Sequence, residues 1–147
     1  MLSQNGVIMR ITATASGLSV LAILASFAAP AAAPDTTAPP RPDIHVLAHE
    51  SVSGNDKLQA IIGMTDWPVG GVSRRHYHAG DEYATVLEGA IEIDNDGEPP
   101  HIYQAGQTYH NKRGIIHVAK NANNGPSKLS FVLIIDKGTD LQVFVDK

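Results

Sequence analysis

The chain has 147 residues, 11 Lys+Arg against 15 Asp+Glu for a net charge of −4, and no cysteine. That length suffices for one domain with a buried core. The only basic cluster is the pair Arg74–Arg75, so nucleic acid is excluded as a partner class. Without thiols there are no disulfides, no thiolate metal ligands and no cysteine nucleophile.

Residues 1 to about 33 hold a single charged side chain, Arg10, and residues 17–29 (GLSVLAILASFAA) are apolar. A short basic start, a short apolar stretch and a tail of small residues predict a secretory signal over 1–31. Cleavage after Ala31 or after Ala28 satisfies the small-residue pattern. The alternative is a retained anchor, since 11–33 is uncharged and long enough to span a bilayer. Its Ala, Ser and Thr content and Pro30 make it a weak span. Either reading puts the folded part outside the cytoplasm, periplasmic or secreted, and signal cleavage would leave no membrane contact. Residues 30–42 (PAAAPDTTAPPRP) carry five prolines and little to bury. They predict a disordered linker over 32–42, with the folded domain over 43–147. Loss of Arg10 with the signal leaves 10 basic and 15 acidic residues, a net charge of −5.

The domain reads as short strands and turns without an amphipathic helix. Strands are predicted at 44–50 (IHVLAHE), at 58–65 (LQAIIGMT) and, briefly, at His76. Between them, 67–71 (WPVGG) is punctuation. Residues 83–87 (YATVL) and 90–94 (AIEID) flank a hairpin-like turn at Glu88-Gly89. A loop at 95–100 and a turn at 104–107 follow. Strands are then expected at 115–120 (IIHVAK), at 129–136 (LSFVLIID) and at 141–145, with turn material at 121–127. Eight or nine short strands at regular spacing predict an all-β double-sheet jelly roll or barrel.

His76 and His78 point to one face of an extended chain, because side chains alternate with period 2. Glu82 follows after a short turn, and His117 lies 35 residues beyond it. Imidazole and carboxylate bind first-row divalent metals where no thiolate is present. Two imidazoles on one face, a nearby carboxylate and a distant fourth ligand therefore predict a metal site. No Gly-rich phosphate loop and no G-x-S-x-G elbow occurs, which argues against nucleotide and serine chemistry.

Gly70-x5-His76-x-His78-x3-Glu82-x6-Gly89 resembles the first motif of the cupin superfamily. Sixteen residues later, Gly106-x5-Lys112-x-Gly114-x2-His117-x3-Asn121 resembles the second. Lys112 stands where the family has proline, in the turn entering the His117 strand. The resemblance, to small single-domain bacterial cupins, spans about residues 58–144 and implies a double-stranded β-helix, a jelly-roll barrel. It implies His76, His78, Glu82 and His117 as ligands of one divalent ion per chain, Fe, Mn, Ni or Zn. A metal-dependent enzyme acting on a small oxygen-rich molecule follows by the same resemblance, dioxygenase-like or isomerase- or decarboxylase-like, in a homodimer. Because the fold hosts many chemistries, a non-catalytic small-ligand-binding or sensing module is the alternative.

Weaker candidates for catalytic roles are His110 as an acid–base group, Arg74 as a carboxylate clamp on the His76 face, and Tyr83 as a hydrogen-bond donor, with Tyr109 beside it. Each has a plainer reading as a surface or packing residue. His45, His49 and His101 are expected in strand edges or loops, and Trp67 in the core.

Overall fold

The structure, a computed structural model, describes residues 38–145. The predicted signal, 1–31, and the first part of the predicted linker lie outside the described residues. Ten strands follow in order: β1 (Asp43–Ser51), β2 (Leu58–Trp67), β3 (His76–Tyr77), β4 (Gly80–Glu88), β5 (Ala90–Asn95), β6 (His101–Gln104), β7 (Thr108–Asn111), β8 (His117–Asn121), β9 (Ser127–Asp136) and β10 (Val143–Phe144). No helix occurs among the described residues. The strands form two five-stranded antiparallel sheets, ordered β1-β2-β9-β4-β7 and β10-β3-β8-β5-β6. The all-β expectation holds.

Alternation dictates the core. In β9 every second residue from Ser127 to Ile135 is buried, and its inward side chains Leu129, Phe131, Leu133 and Ile135 meet Ala84 and Val86 of β4 and Ile61 and Trp67 of β2. Ile91 and Ile93 of β5 and Ala119 of β8 close the core from the second sheet. Trp67, expected in the core, is 5% exposed and donates its indole N–H to Thr65 Oγ1 at 2.7 Å. Gly63 of β2 leaves room for the Phe131 ring, which any Cβ at that position would strike.

Three differences from the sequence reading have physical causes. First, β6 (HIYQ) and β7 (TYHN) are strands at positions where the sequence reading assigns none. They are short and half polar, so they carry no apolar run, and their neighbours β5 and β4 supply the pairing. Second, β4 starts at Gly80, so Glu82 lies within a strand rather than after a turn. It pairs with Asn111 of β7 on one side and Leu133 of β9 on the other. Third, Glu88-Gly89 is a corner and not a hairpin, because β4 and β5 belong to different sheets. Gly89 turns that corner at φ +75°, and a Cβ there would meet Ser127 Oγ, so only glycine fits. In addition, the end of the predicted linker is fastened to the domain. Pro40 O accepts from Val72 N at 3.0 Å, and Arg41 donates to Val72 O at 2.9 Å.

Candidate metal centre

His76 and His117 face each other across the adjacent strands β3 and β8, where they are register partners. His78 follows β3, and Glu82 enters from β4 in the opposite sheet. The strand-period spacing of His76 and His78 and the inward register of Glu82 with Ala84 and Val86 bring all four toward one point between the sheets. One nitrogen from each histidine lies within 4.8 Å of the others. Ring centroids stand 4.3 Å apart for His76–His117, 4.9 Å for His76–His78 and 5.3 Å for His78–His117. Glu82 Oε2 lies 3.5 Å from His78 Nε2 and 3.9 Å from His117 Nε2, distances of electrostatic contact rather than hydrogen bonding.

The other ring nitrogen of every histidine is held by the main chain. Nδ1 donates to Arg74 O at 2.7 Å from His76, to Leu141 O at 2.6 Å from His78 and to Ile115 O at 3.1 Å from His117. A carbonyl only accepts, so each Nδ1 carries the proton and each Nε2 presents its lone pair inward. Asn111, buried on β7, donates from Nδ2 to Glu82 Oε2 at 2.7 Å. Gln142, just before β10, donates from Nε2 to His76 Nε2 at 3.0 Å.

Burial penalises the imidazolium of His76 and, with the neighbouring His117, lowers its pKa to about 4. Burial likewise lowers His117. At His78 burial also opposes the charge, but the Glu82 carboxylate and the Leu141 carbonyl outweigh it and the pKa is raised. Burial alone would raise Glu82. Its contacts with His78, His117 and Asn111 prevail and hold it down to about 2. Near neutral pH the cluster thus offers neutral imidazoles at His76 and His117 beside a carboxylate anion, with His78 the imidazole that holds a proton most readily.

That donor set suits a borderline divalent ion. His78 Nε2 adds a specific observation, since it is buried and has no hydrogen-bond partner. A cation at the focus of the cluster satisfies that atom, which is otherwise costly to bury.

Two small cavities adjoin the centre, of about 40 Å³ beside His76 and His117 and about 30 Å³ beside His78. Thr65, Phe131, Glu82 and Gln142 line both. Trp67 and Tyr109 line the larger, and burial, then the Glu82 charge, raises the Tyr109 phenol well above its usual pKa.

The weaker candidates lie elsewhere. His110 Nε2 donates to Asp81 Oδ1 at 2.9 Å and stacks on Tyr83 with ring centroids 4.4 Å apart, on the outer face of the β4–β7 ladder. Arg74 is exposed and lies over the Phe144 ring at 3.9 Å. Neither His110, Tyr83 nor Arg74 lines the cavities at the centre. Asn111 and Gln142 were not singled out from sequence. Asn111 shares the inward phase of Tyr109, a signal that becomes readable only once β7 is known to be a strand. Gln142 carries no local signal.

A family model described as a cupin domain matches residues 63–135. No curated protein matches the chain. Among solved structures, a conserved protein with a double-stranded β-helix domain from Klebsiella pneumoniae is 18% identical with a TM-score of 0.58, covering 73% of this chain and 86% of that one. A cupin superfamily protein from Desulfitobacterium hafniense is 19% identical with a TM-score of 0.52, covering 65% and 79%. Oxalate oxidase in complex with the substrate analogue glycolate is 18% identical with a TM-score of 0.57, covering 76% of this chain and 58% of the oxidase. At these identities the likeness is one of fold.

Proposed function

We propose that this chain, which belongs to the cupin superfamily, is an exported metal-dependent enzyme acting on a small oxygen-rich molecule. The observation that carries the metal reading is the convergence of three inward Nε2 lone pairs, each fixed by a main-chain carbonyl at Nδ1. His76, His78 and His117 would hold one Fe, Mn, Ni or Zn ion, with Glu82 as the anionic fourth ligand. Such an ion supplies Lewis-acid or redox chemistry and leaves positions for a small ligand.

The chain's own residues do the rest. Asn111 aims the Glu82 carboxylate, and the Leu141 carbonyl aims His78. Trp67, Phe131, Leu129 and Ala84 surround the cavity with apolar surface and limit water. Tyr109 stays protonated at neutral pH and can only donate or hold its proton. Dioxygenase-like turnover ranks ahead of isomerase- or decarboxylase-like turnover. The size of the cavities and the glycolate-binding neighbour both favour a compact oxygen-bearing substrate.

A non-catalytic ligand-binding module is the second reading. What favours it is that the larger cavity's only titratable lining groups, among the described residues, are the metal-ligand candidates and Tyr109, which leaves no spare acid or base near neutral pH. A homodimer is proposed through the β1-containing sheet, where Ile62 and Tyr83 are exposed on the outer face and Val46 and Leu47 are exposed on the edge strand β1, an arrangement that invites a covering partner.

The test is elemental mass spectrometry on the purified mature protein with His117→Ala as control. About one transition metal per chain, lost in the control, supports the centre, and O₂ uptake with small hydroxy- and oxo-acids then separates enzyme from binding module. No metal in either sample after reconstitution with each ion would sink the metal reading. Export is checked by fractionation and N-terminal sequencing, and a monomer in sizing chromatography at micromolar concentration removes the dimer.

A further inference from the structure

The Gln142 amide sits where no motif places a functional residue, within 3.0 Å of His76 Nε2 and on the wall shared by the two cavities. Its partner nitrogen is the lone pair that faces the centre, because His76 Nδ1 is committed to Arg74 O. A cation drawing on that lone pair must displace the amide hydrogen bond. The displaced –NH₂ then remains beside the centre with its donors unpaired, and the nearest open space is the pair of cavities it borders. Each has room for only about two or three waters.

Charge narrows what can enter. No Lys or Arg lines either cavity, and Glu82 is the one carboxylate on their walls. A divalent ion with that carboxylate keeps one net positive charge, which one monoanion neutralises. From the shared wall, the Gln142 amide, the cavity volumes and this charge balance together, we infer that Gln142 is a ligand-positioning residue. It occupies His76 in the metal-free protein and donates a hydrogen bond to a compact monoanion at the metal-loaded centre. The inference rests on the metal reading above and goes beyond it by assigning the residue and the ligand class.

The probes are cobalt(II) for the metal and azide for the anion, read from the cobalt visible spectrum on the full-length mature protein. Gln142→Met keeps the length of the side chain and removes its donors. Cobalt affinity in this variant is expected to stay within about threefold of wild type or to tighten, because a competitor for His76 is gone. Azide affinity is expected to fall about tenfold, the loss of one hydrogen bond to a charged acceptor. Gln142→Leu, which lacks the amide as well, is expected to give the same azide loss and covers misfolding of the first variant.

Unchanged azide affinity overturns the inference. So does a tenfold loss of cobalt affinity, which would make Gln142 a metal ligand or a structural prop. If wild type binds no cobalt, the metal reading falls and the inference with it. If wild type binds cobalt and azide normally and the variants match it, only the role of Gln142 falls.

Discussion

Replacing Asn111 by alanine separates holding the metal from holding the fold. Asn111 Nδ2 donates to Glu82 Oε2 at 2.7 Å, and both groups are withdrawn from solvent. A hydrogen bond to a charged group contributes about 1.5–3 kcal/mol. The same side chain buries Oδ1 without any partner, so truncation also removes an unsatisfied acceptor, an offset of about 1–3 kcal/mol. The two nearly cancel, and the net loss of folding stability is expected to stay near 1 kcal/mol, chiefly from the small void left behind.

The metal feels only the first of these. Without Asn111 the Glu82 carboxylate loses its orientation, and metal affinity is expected to fall 10–100-fold, the range seen when a partner of a metal ligand is removed. Chelator-competition titration with zinc or cobalt measures the affinity, and urea unfolding of the metal-free protein measures the stability. Metal affinity within about threefold of wild type in a folded Asn111→Ala protein would refute the role assigned to this hydrogen bond. Asn111→Asp sharpens the contrast. A second carboxylate beside Glu82 forces the pair to share a proton, and affinity at pH 6 is expected to fall below wild type.

Proton competition at the centre falls unevenly on the three imidazoles. His76 titrates near 4 and His117 is lowered, while His78 is raised, so as pH falls His78 is the first to hold a proton that the metal must displace. Log affinity for zinc is expected to fall with a slope well below three per pH unit between pH 6 and pH 5, and a slope near three would contradict the assignments. In the metal-free fold the depressed Glu82 pKa contributes stability above its ordinary value of 4.5. That contribution is lost as pH falls from 4.5 toward about 2, which urea midpoints across that window detect. Gly80→Ala is expected to destabilise by about 3 kcal/mol or more, because a Cβ there meets the backbone of Ile134 and Ile135. Unfolding close to wild type would show that β4 and β9 have more slack than their register implies.

Much of this was legible in the residues themselves. The run LSFVLIID declares β9, and the two glycine-bounded motifs by themselves place His76, His78, Glu82 and His117 in a common barrel. Strand alternation carries that far because it is local. What escaped was set by distant pairing. β6 and β7 exist through their ladders with β5 and β4, and no apolar pattern marks them. Asn111 therefore became visible only through its register opposite Glu82. Gln142 reaches the centre from 66 residues beyond His76, a closeness made by the C-terminal segment and encoded in no spacing. Arg74 illustrates the opposite failure. Its parity with His76 suggested the inner face, but it precedes β3, where alternation does not yet apply, and its guanidinium turns out to the Phe144 ring.

The three main-chain carbonyls that grip the histidines have a consequence for how such a protein can change its trade. Their positions depend on the path of the backbone and hardly on which side chains surround the cavity. Thr65, Trp67, Phe131 and Gln142 are thus exchangeable without disturbing the aim of the imidazoles. A lineage carrying this scaffold can redraw the mouth and walls one residue at a time, trying new molecules against an unmoved centre. Selection experiments that vary only these wall positions, keeping apolar side chains of similar volume at Trp67 and Phe131, should accordingly yield folded, metal-competent proteins at high frequency, whatever new ligands they come to prefer.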